Sequence, residues 1–470
     1  MSIGGRLTPL ERLFALEQFG IKLGLDNIRT ILAVLDHPER AWRSVHIAGT
    51  NGKGSVAAMV ERGLRAAGLR TGRYTSPHLD RIEERVAING EPIDHATFTA
   101  VTADVFDVVD RLLERSVPGQ SLGEGRPTFF EVSTAIAFEI LRRAKVEVAV
   151  VEVGLGGRFD ATNVLTPAIT AITSIAFDHE RHLGHTLSAI AFEKAGIAKP
   201  GVPLVIGKLP EEAAATVARV AHEVGAPLVD AHATTTDRTY PPLTLALPGR
   251  HQLENAAVAV AILERWSTGA SYLPTDAIVT GLTKCEWPAR LEWLRVPFDS
   301  QSHRFATGLL AQDRPTHGEL LIDAAHNPAG AEALASYLQD TGSPPLPIVF
   351  AAMADKNLGK MIAALAPVAR SFIATTAPHA RARTADQLAA EIRGLTSVPV
   401  EADGSPLLAV LRALEQPAQR SLGGGGPAHR SFSGGEPPRA VACGSIYMVG
   451  PLRARLLDGG ATRIQAVFST

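Results

Sequence analysis

A chain of 470 residues exceeds what one hydrophobic core organises, so two domains are expected. Its 46 basic and 48 acidic residues leave a formal charge of −2, which gives no reason to expect nucleic acid or an anionic membrane as partner. Cys285 and Cys443 are too few for a disulfide framework or a four-thiolate zinc site. With no leader-like N-terminus and no apolar run of about 20 residues, a cytoplasmic protein is expected.

Residues 8–36 carry Leu10, Leu13, Phe14 and Leu16, then Ile28, Ile31, Leu32 and Leu35, at helical spacing. The first sharp signal is Val45–Ser55, V-H-I-A-G-T-N-G-K-G-S. An apolar strand turns through Gly49, Thr50, Asn51, Gly52, Lys53, Gly54 and Ser55 into a helix expected over Val56–Ala67. Glycines let backbone N–H groups converge on an anion, the helix N-terminus favours negative charge, and lysine reaches the outer phosphates. The spacing departs from G-x-x-x-x-G-K-[ST]: Ile47 stands at one loop position, and Gly54 separates Lys53 from Ser55. This is a P-loop variant.

A short strand follows at Thr71–Tyr74, then a turn at Ser76-Pro77, which places Ser76, His78 and Arg85 on or near a loop. Glu83–Gly90 reads as a strand entering an Asn-Gly turn. A helix over 95–115, a polar loop over 117–127 and a helix over Thr128–Ala144 lead to a buried strand, Val146–Val151. Glu152 ends that strand where glycines begin. Ligands of parallel sheets lie at the carboxyl ends of strands, and a carboxylate there suits Mg²⁺ beside phosphates. The next strand, Ala168–Ile175, is followed by His179. His179, His182 and His185 form an H-x-x-H-x-x-H pattern, but no cysteine is near and the stretch reads as a loop, so a zinc site is set aside.

Helix Leu187–Ala195 carries Lys194. Strand Pro203–Ile206, helix 211–224 and strand Pro227–Asp230 come next, then a pair of short antiparallel strands within Thr234–Leu247. A helix opens at about His251, with Asn255 in its first turns. W-P-A-R-L-E-W, 287–293, closes the first domain, and a linker is placed at about 295–306. The second domain alternates strands at 319–323, 346–351, 371–375, 398–400 and 439–443, the last, with helices at 329–340, 358–367, 384–394 and 406–415. Residues 418–438 read as a low-complexity surface loop. The fold class is therefore α/β: an N-terminal P-loop ATPase domain with a mostly parallel sheet, 1–296, and a smaller C-terminal Rossmann-like domain, 297–470.

H-I-A-G-T-N-G-K-G-S, T-S-P-H-L, E-R-V-A-I-N-G, E-V-G-L-G-G-R-F-D-A-T-N, the D-H of 178–179, E-K-A-G-I, G-R-H-Q-L-E-N-A, W-P-A-R-L, I-D-A-A-H-N-P and G-S-I-Y-M-V-G keep one order along the chain. With I-K-L-G-L-D-N-I ahead of them, they resemble the folylpolyglutamate synthase/dihydrofolate synthase family, within the Mur-ligase-like amide ligases. The resemblance implies that a substrate carboxylate takes the γ-phosphoryl group of ATP and that L-glutamate then displaces phosphate from the acyl phosphate. It implies that Lys53 and the 49–55 amides hold the phosphates. Ser76, Glu152 and His179 are implied as ligands of one or two Mg²⁺ ions, with Ser55 nearby. Lys194 is implied to carry a carbamate. Asn255 is implied to contact adenine, Arg290 phosphates, and Asp323 the ribose or the interdomain region, with His326 a catalytic residue from the second domain.

Dihydropteroate users in the family resemble this chain at Thr128, Phe129, Phe130, Glu131 and at Phe159, Asp160, Ala161, which implies a pterin site with aromatic faces to stack on and a carboxylate for the ring's N–H donors. The reading is a bifunctional ligase acting on dihydropteroate and tetrahydrofolate; the alternative is folylpolyglutamate synthesis alone. A monomer working on small molecules, with no nucleic-acid or membrane partner, is expected. Asn357 of D-K-N (355–357) stands where many relatives carry aspartate, and Ala351 where many carry glycine. A cell-wall Mur ligase would need a sugar-nucleotide domain before the loop, for which about 45 residues are too few. A GTPase would need N-K-x-D, and A-D-K-N has another order.

Overall fold

The computed structural model describes residues 7–20, 22, 24–114, 126–233, 240–268, 271–298, 316–416 and 437–464. The chain divides into two compact units, Met1–Leu247 with His251–Trp287, and Pro248–Arg250 with Pro288–Thr470. Among the described residues no helix is long and apolar enough to cross a membrane.

The first unit holds β1 (Arg43–Ala48), β2 (Thr71–Tyr74), β3 (Val86–Ile88), β4 (Glu91–Pro92), β5 (Val148–Glu152), β6 (Ile169–Ile172), β7 (Leu204–Ile206) and β8 (Leu228–Asp230). Their order is β4-β3-β2-β5-β1-β6-β7-β8. The strands from β2 to β8 in that order run parallel, and β3 and β4 turn back as antiparallel edges. β5 and β6 are buried along their whole length because helices cover both faces, which is why they are mostly apolar without the alternation of a half-exposed strand. The register sets Ile47 opposite Glu152 and Ala48 opposite Ile172. Three strands therefore end together, and the segments after them share one rim.

Helix Lys53–Ala66 follows β1 and buries Val56, Met59, Val60 and Leu64 against Val258, Ile262 and Ile278 of two later helices. On another core, helix Phe129–Arg143 packs with His95–Glu114 and with the N-terminal helices Pro9–Ala15 and Asp26–Val34. A hairpin of β9 (Ser267–Thr268) and β10 (Ser271–Tyr272) completes this unit.

The second unit carries β11 (Glu292–Pro297), β12 (His317–Ile322), β13 (Leu346–Phe350), β14 (Ala369–Ala374), β15 (Val400–Ala402), β16 (Arg439–Cys443) and β17 (Thr462–Ile464), ordered β15-β14-β13-β16-β12-β11-β17. Five strands are parallel; β11 and β17 form an antiparallel edge.

Four expectations change. Only Val86–Ile88 of Glu83–Gly90 is strand, because Glu84 accepts the N–H groups of Leu79 and Arg81 and holds Ile82–Arg85 in a 3-10 turn. Residues 240–247 form no strand, since Pro241 and Pro242 have no N–H to donate; 234–239 lie outside the described residues. Arg295–Pro297 belong to β11 rather than a linker, and 299–306 fall outside the description. β16 is followed by helix Ile446–Asp458 and by β17, so it is not the last strand. Of the 418–438 loop, 418–436 fall outside the described residues.

Candidate active site

The glycine-rich loop leaves β1 at Gly49 and enters its helix through Gly52, whose φ of 84° is a left-handed value that glycine adopts without strain. Space demands glycine there as well, because a Cβ would lie 2.1 Å from Asn255 Oδ1. The loop is pinned from β6 and the residues after it. Thr50 N donates to Ser174 O at 2.8 Å, Asn51 N to Ser174 Oγ at 3.0 Å, and Thr173 Oγ1 to Asn51 O at 2.6 Å. Thr173 and Ser174 escape a motif reading; their only signal is a pair of hydroxyls just past an apolar strand.

Two lysines meet at one carbonyl. Lys53 Nζ donates to Gly49 O at 3.2 Å and Thr50 O at 3.3 Å, and Lys194 Nζ donates to Gly49 O at 2.9 Å. Lys194 is buried. Burial, followed by the charge of Lys53, pulls its amine down to about 7, with Asp178 and Asp160 acting in the other direction. Glu152 is buried too, with Oε1 3.7 Å from Lys53 Nζ and Oε2 accepting the Ser76 N–H at 3.3 Å. Lys53, Lys194, Ser76 and Glu152 thus gather at the rim formed by β1, β2 and β5.

Two further residues brace the loop. Gln252 Nε2 donates to Ser55 Oγ at 3.3 Å, and Asn255 Nδ2 donates to Gln252 Oε1 at 2.9 Å. The structure places Asn255 against Gly52, beneath the phosphate loop. Gln252 is buried, and its residue type carries no functional signal; only its spacing of one helical turn from Asn255 hints at it. His179 has φ 51°, lies on the exposed side, and keeps Nε2 3.9 Å from Asp178 Oδ1. It opens a short helix, Glu180–Leu183, where a loop is expected. Among the described residues, no three His, Cys, Asp or Glu side chains group to hold a metal. A hydroxyl, a buried carboxylate and an imidazole nonetheless suit a cation that keeps water and phosphate oxygens as its other ligands.

In the second unit, Asp323 Oδ2 accepts the Leu291 N–H and Oδ1 the Ala325 N–H, both at 2.8 Å. Ala289 and Leu291 have φ of 56° and 48°, so Arg290 sits between two left-handed residues, and its guanidinium donates to Ala289 O at 2.9 Å. His326 donates from Nδ1 to Ala324 O at 2.9 Å.

A family profile described as Mur ligase, glutamate ligase domain, matches residues 309–420. The chain is 34% identical over 393 residues to the dihydrofolate synthase/folylpolyglutamate synthase of Bacillus subtilis, covering 79% of this chain and 85% of that one. It is 37% identical over 396 residues to the Mycobacterium tuberculosis protein of the same name, covering 78% and 76%. The chain belongs to the dihydrofolate synthase/folylpolyglutamate synthase family. Among solved structures, Mycobacterium tuberculosis folylpolyglutamate synthase complexed with ADP is similar at a TM-score of 0.79 and 30% identity, covering 95% of this chain and 98% of that one. E. coli FolC in complex with DHPP and ADP is similar at 0.75 and 26%, covering 96% and 98%.

The segments that the dihydrofolate synthase/folylpolyglutamate synthase resemblance assigns to a pterin have structural duties here. Thr128 caps helix Phe129–Arg143, and Glu131 Oε2 accepts Thr128 N at 2.7 Å and Oγ1 at 2.9 Å, a reciprocal capping box. Asp160 is buried; its carboxylate takes the N–H groups of Leu155 and Thr162 and the Thr162 hydroxyl. Both carboxylates therefore hold intrachain hydrogen bonds, at a helix N-terminus for Glu131 and within the loop after β5 for Asp160. Phe129 and Phe130 are both half-buried. Phe129 stacks on Phe14 at 6.1 Å with the Arg85 guanidinium 5.1 Å away, and Phe130 stacks on Tyr74 at 6.3 Å. Phe159 lies under the Arg158 guanidinium at 4.3 Å, and Ala161 is buried.

Proposed function

We propose that this chain is an ATP-dependent ligase that adds L-glutamate to dihydropteroate and to tetrahydrofolate through an acyl phosphate. The observation that carries the proposal is the meeting of Lys53 and Lys194 at the Gly49 carbonyl, beside Glu152 and Ser76. An ammonium has three donors, so Lys53 can hold two carbonyls and still give a proton to a phosphate oxygen. The reading is supported by a related bifunctional synthase solved with Mn, AMPPNP and L-glutamate, 28% identical at a TM-score of 0.75. It is also supported by the dihydrofolate synthetase of Saccharomyces cerevisiae, 32% identical over 360 residues.

Lys53 and the N–H groups of Gly49–Ser55 orient the β- and γ-phosphates, with Asn255 and Gln252 stiffening the loop. Glu152, Ser76 and His179 would hold Mg²⁺, which when bound neutralises phosphate charge. The substrate carboxylate oxygen bonds to the γ-phosphorus as the bond to ADP breaks. The glutamate amine then bonds to the acyl carbon, phosphate leaves, and the amine gives up a proton. An amine that sheds its proton near pH 7 reacts with CO₂, so we assign Lys194 as the carbamate-bearing residue; the product anion would pair with Lys53. For Arg290 and Asp323 we propose nucleotide contacts and for His326 a catalytic role, on the strength of W-P-A-R-L and I-D-A-A-H-N-P. We infer a cytoplasmic protein, a reading that the buried free thiols of Cys285 and Cys443 support, and one that works as a monomer.

The test incubates the pure chain with ATP, L-glutamate and either dihydropteroate or tetrahydrofolate, then weighs the products. One added glutamyl residue on each substrate, with ADP and phosphate released, is the expected result. Addition to tetrahydrofolate alone selects the alternative, and addition to neither overturns the assignment.

A further inference from the structure

Lys194 reaches Gly49 from the last turn of a nine-residue helix, Leu187–Ala195. Carbonyls in such a turn have no partner inside the helix and need one from elsewhere. The G-L-G-G-R-F loop after β5 supplies it. Arg158 N donates to Glu193 O at 2.8 Å, while Asn163 Nδ2 bridges the carbonyls of Gly196 at 3.0 Å and Arg158 at 2.9 Å. Gly157 fits so closely that a Cβ would stand 2.8 Å from the carbonyl oxygens of both Glu193 and Lys194.

Side chains then close the joint. Arg158 forks onto the Glu193 carboxylate, Nη2 to Oε1 at 2.6 Å and Nε to Oε2 at 3.3 Å. Its guanidinium lies 4.3 Å from the Phe159 ring and 5.0 Å from that of Phe192. A guanidinium fork fixes orientation as well as distance. The Arg158 side chain is 42% exposed, so the pair adds little to global stability, and its consequence is local.

We propose that Arg158 and Glu193 are positioning residues for Lys194: their ion pair clamps the last helical turn so that the amine stays buried against the Gly49 carbonyl. The clamp joins E-V-G-L-G-G-R-F to E-K-A-G-I, two segments that otherwise have separate duties. Its catalytic consequence rests on the reading of Lys194 as an active-site residue, and the experiment separates the two.

Full-length Glu193→Ala, Glu193→Gln and Arg158→Lys are compared with the native chain and with Lys194→Ala. Misplacing a reacting group by about 1 Å costs about 100-fold, so kcat for glutamate addition should fall about 10- to 100-fold in Glu193→Ala. KM for ATP should stay within about twofold, because Lys53 and the loop amides are untouched. The isosteric Glu193→Gln should keep its fold and lie between. Amines are also pulse-labelled with acetic anhydride in CO₂-free buffer and read by mass spectrometry. Lys194 labels slowly in the native chain and about 10-fold faster in Glu193→Ala if the turn opens. Unchanged labelling overturns the proposal, as does a kcat loss equally large on the Lys194→Ala background. Full turnover by Lys194→Ala refutes the catalytic reading alone; the labelling rates still decide whether the pair positions the amine.

Discussion

At the carboxyl end of the first sheet, one backbone carbonyl holds two side-chain cations. At the carboxyl end of the second, side-chain carboxylates hold backbone amides. Gly49 O receives both Lys53 and Lys194. Asp323 receives the N–H groups of Leu291 and Ala325, and Glu292 receives that of Ala289 while paired with Arg453 at 2.7 and 2.9 Å. The two arrangements differ in what they commit. A lysine on a carbonyl has donors left for an anion, and burying it costs stability. A carboxylate that answers the amides of residues at positive φ holds a strained segment in shape. Lys53 and Lys194 should therefore matter for turnover and cost stability, and Asp323 and Glu292 should be worth stability.

The largest expected effect is on Lys53. Lys53→Ala should lower ATP-dependent glutamate addition by on the order of 10³-fold with no loss of Tm. A variant that melts early instead would place Lys53 with the scaffold and break the contrast.

Asp323→Ala comes next. Losing a charged acceptor for two backbone N–H groups should cost about 2–4 kcal/mol, seen as a lower denaturant midpoint. Unchanged stability with lost turnover would leave Asp323 only the nucleotide contact proposed for it and break the contrast.

Lys194→Met tests the cost of burial through pH. The folded amine loses its proton near 7, against an ordinary 10.5. Between those values the unfolded chain binds more protons, so native stability rises with pH across that window. Thermal melts in CO₂-free buffer, where Lys194 is the free amine, should find Lys194→Met more stable than the native chain at pH 6.5, with the gap closing by about pH 10. A gap independent of pH would mean that the native amine is not buried as a cation at low pH.

The smallest effect is on Glu131. As half of a capping box, Glu131→Gln should change stability by under about 1 kcal/mol and leave KM for the folate substrate alone. A large rise in that KM would return Glu131 to the pterin-binding role that the resemblance implies.

Several features were legible because their causes are local. β2 and helix Leu187–Ala195 fall where alternation and helical spacing put them, and the phosphate loop is written in adjacent residues. T-F-F-E shows how a local signal can carry two meanings. Threonine followed three residues later by glutamate is a capping box in its own right, and the structure uses it so. β17 is a short antiparallel edge whose pairing partner, β11, lies far back along the chain, and nothing in three residues announces such a partner. Gln252 was hidden for a similar reason: its bond to Ser55 spans 197 residues.

The sequence by itself determined a P-loop variant at a strand-to-helix turn, two α/β units and membership of a folate-ligase family. Periodicity, glycine spacing and motif order depend only on neighbours in the chain. Tertiary structure decided which polar groups meet. The order β2-β5-β1-β6 brings strand ends to one rim, which puts Lys194 on a carbonyl 145 residues away and Glu152 beside Lys53. It also turned Asp160 and Glu131 inward. Hydrogen bonds act over about 3 Å in space whatever the separation in sequence, so that choice is made only when the sheet closes.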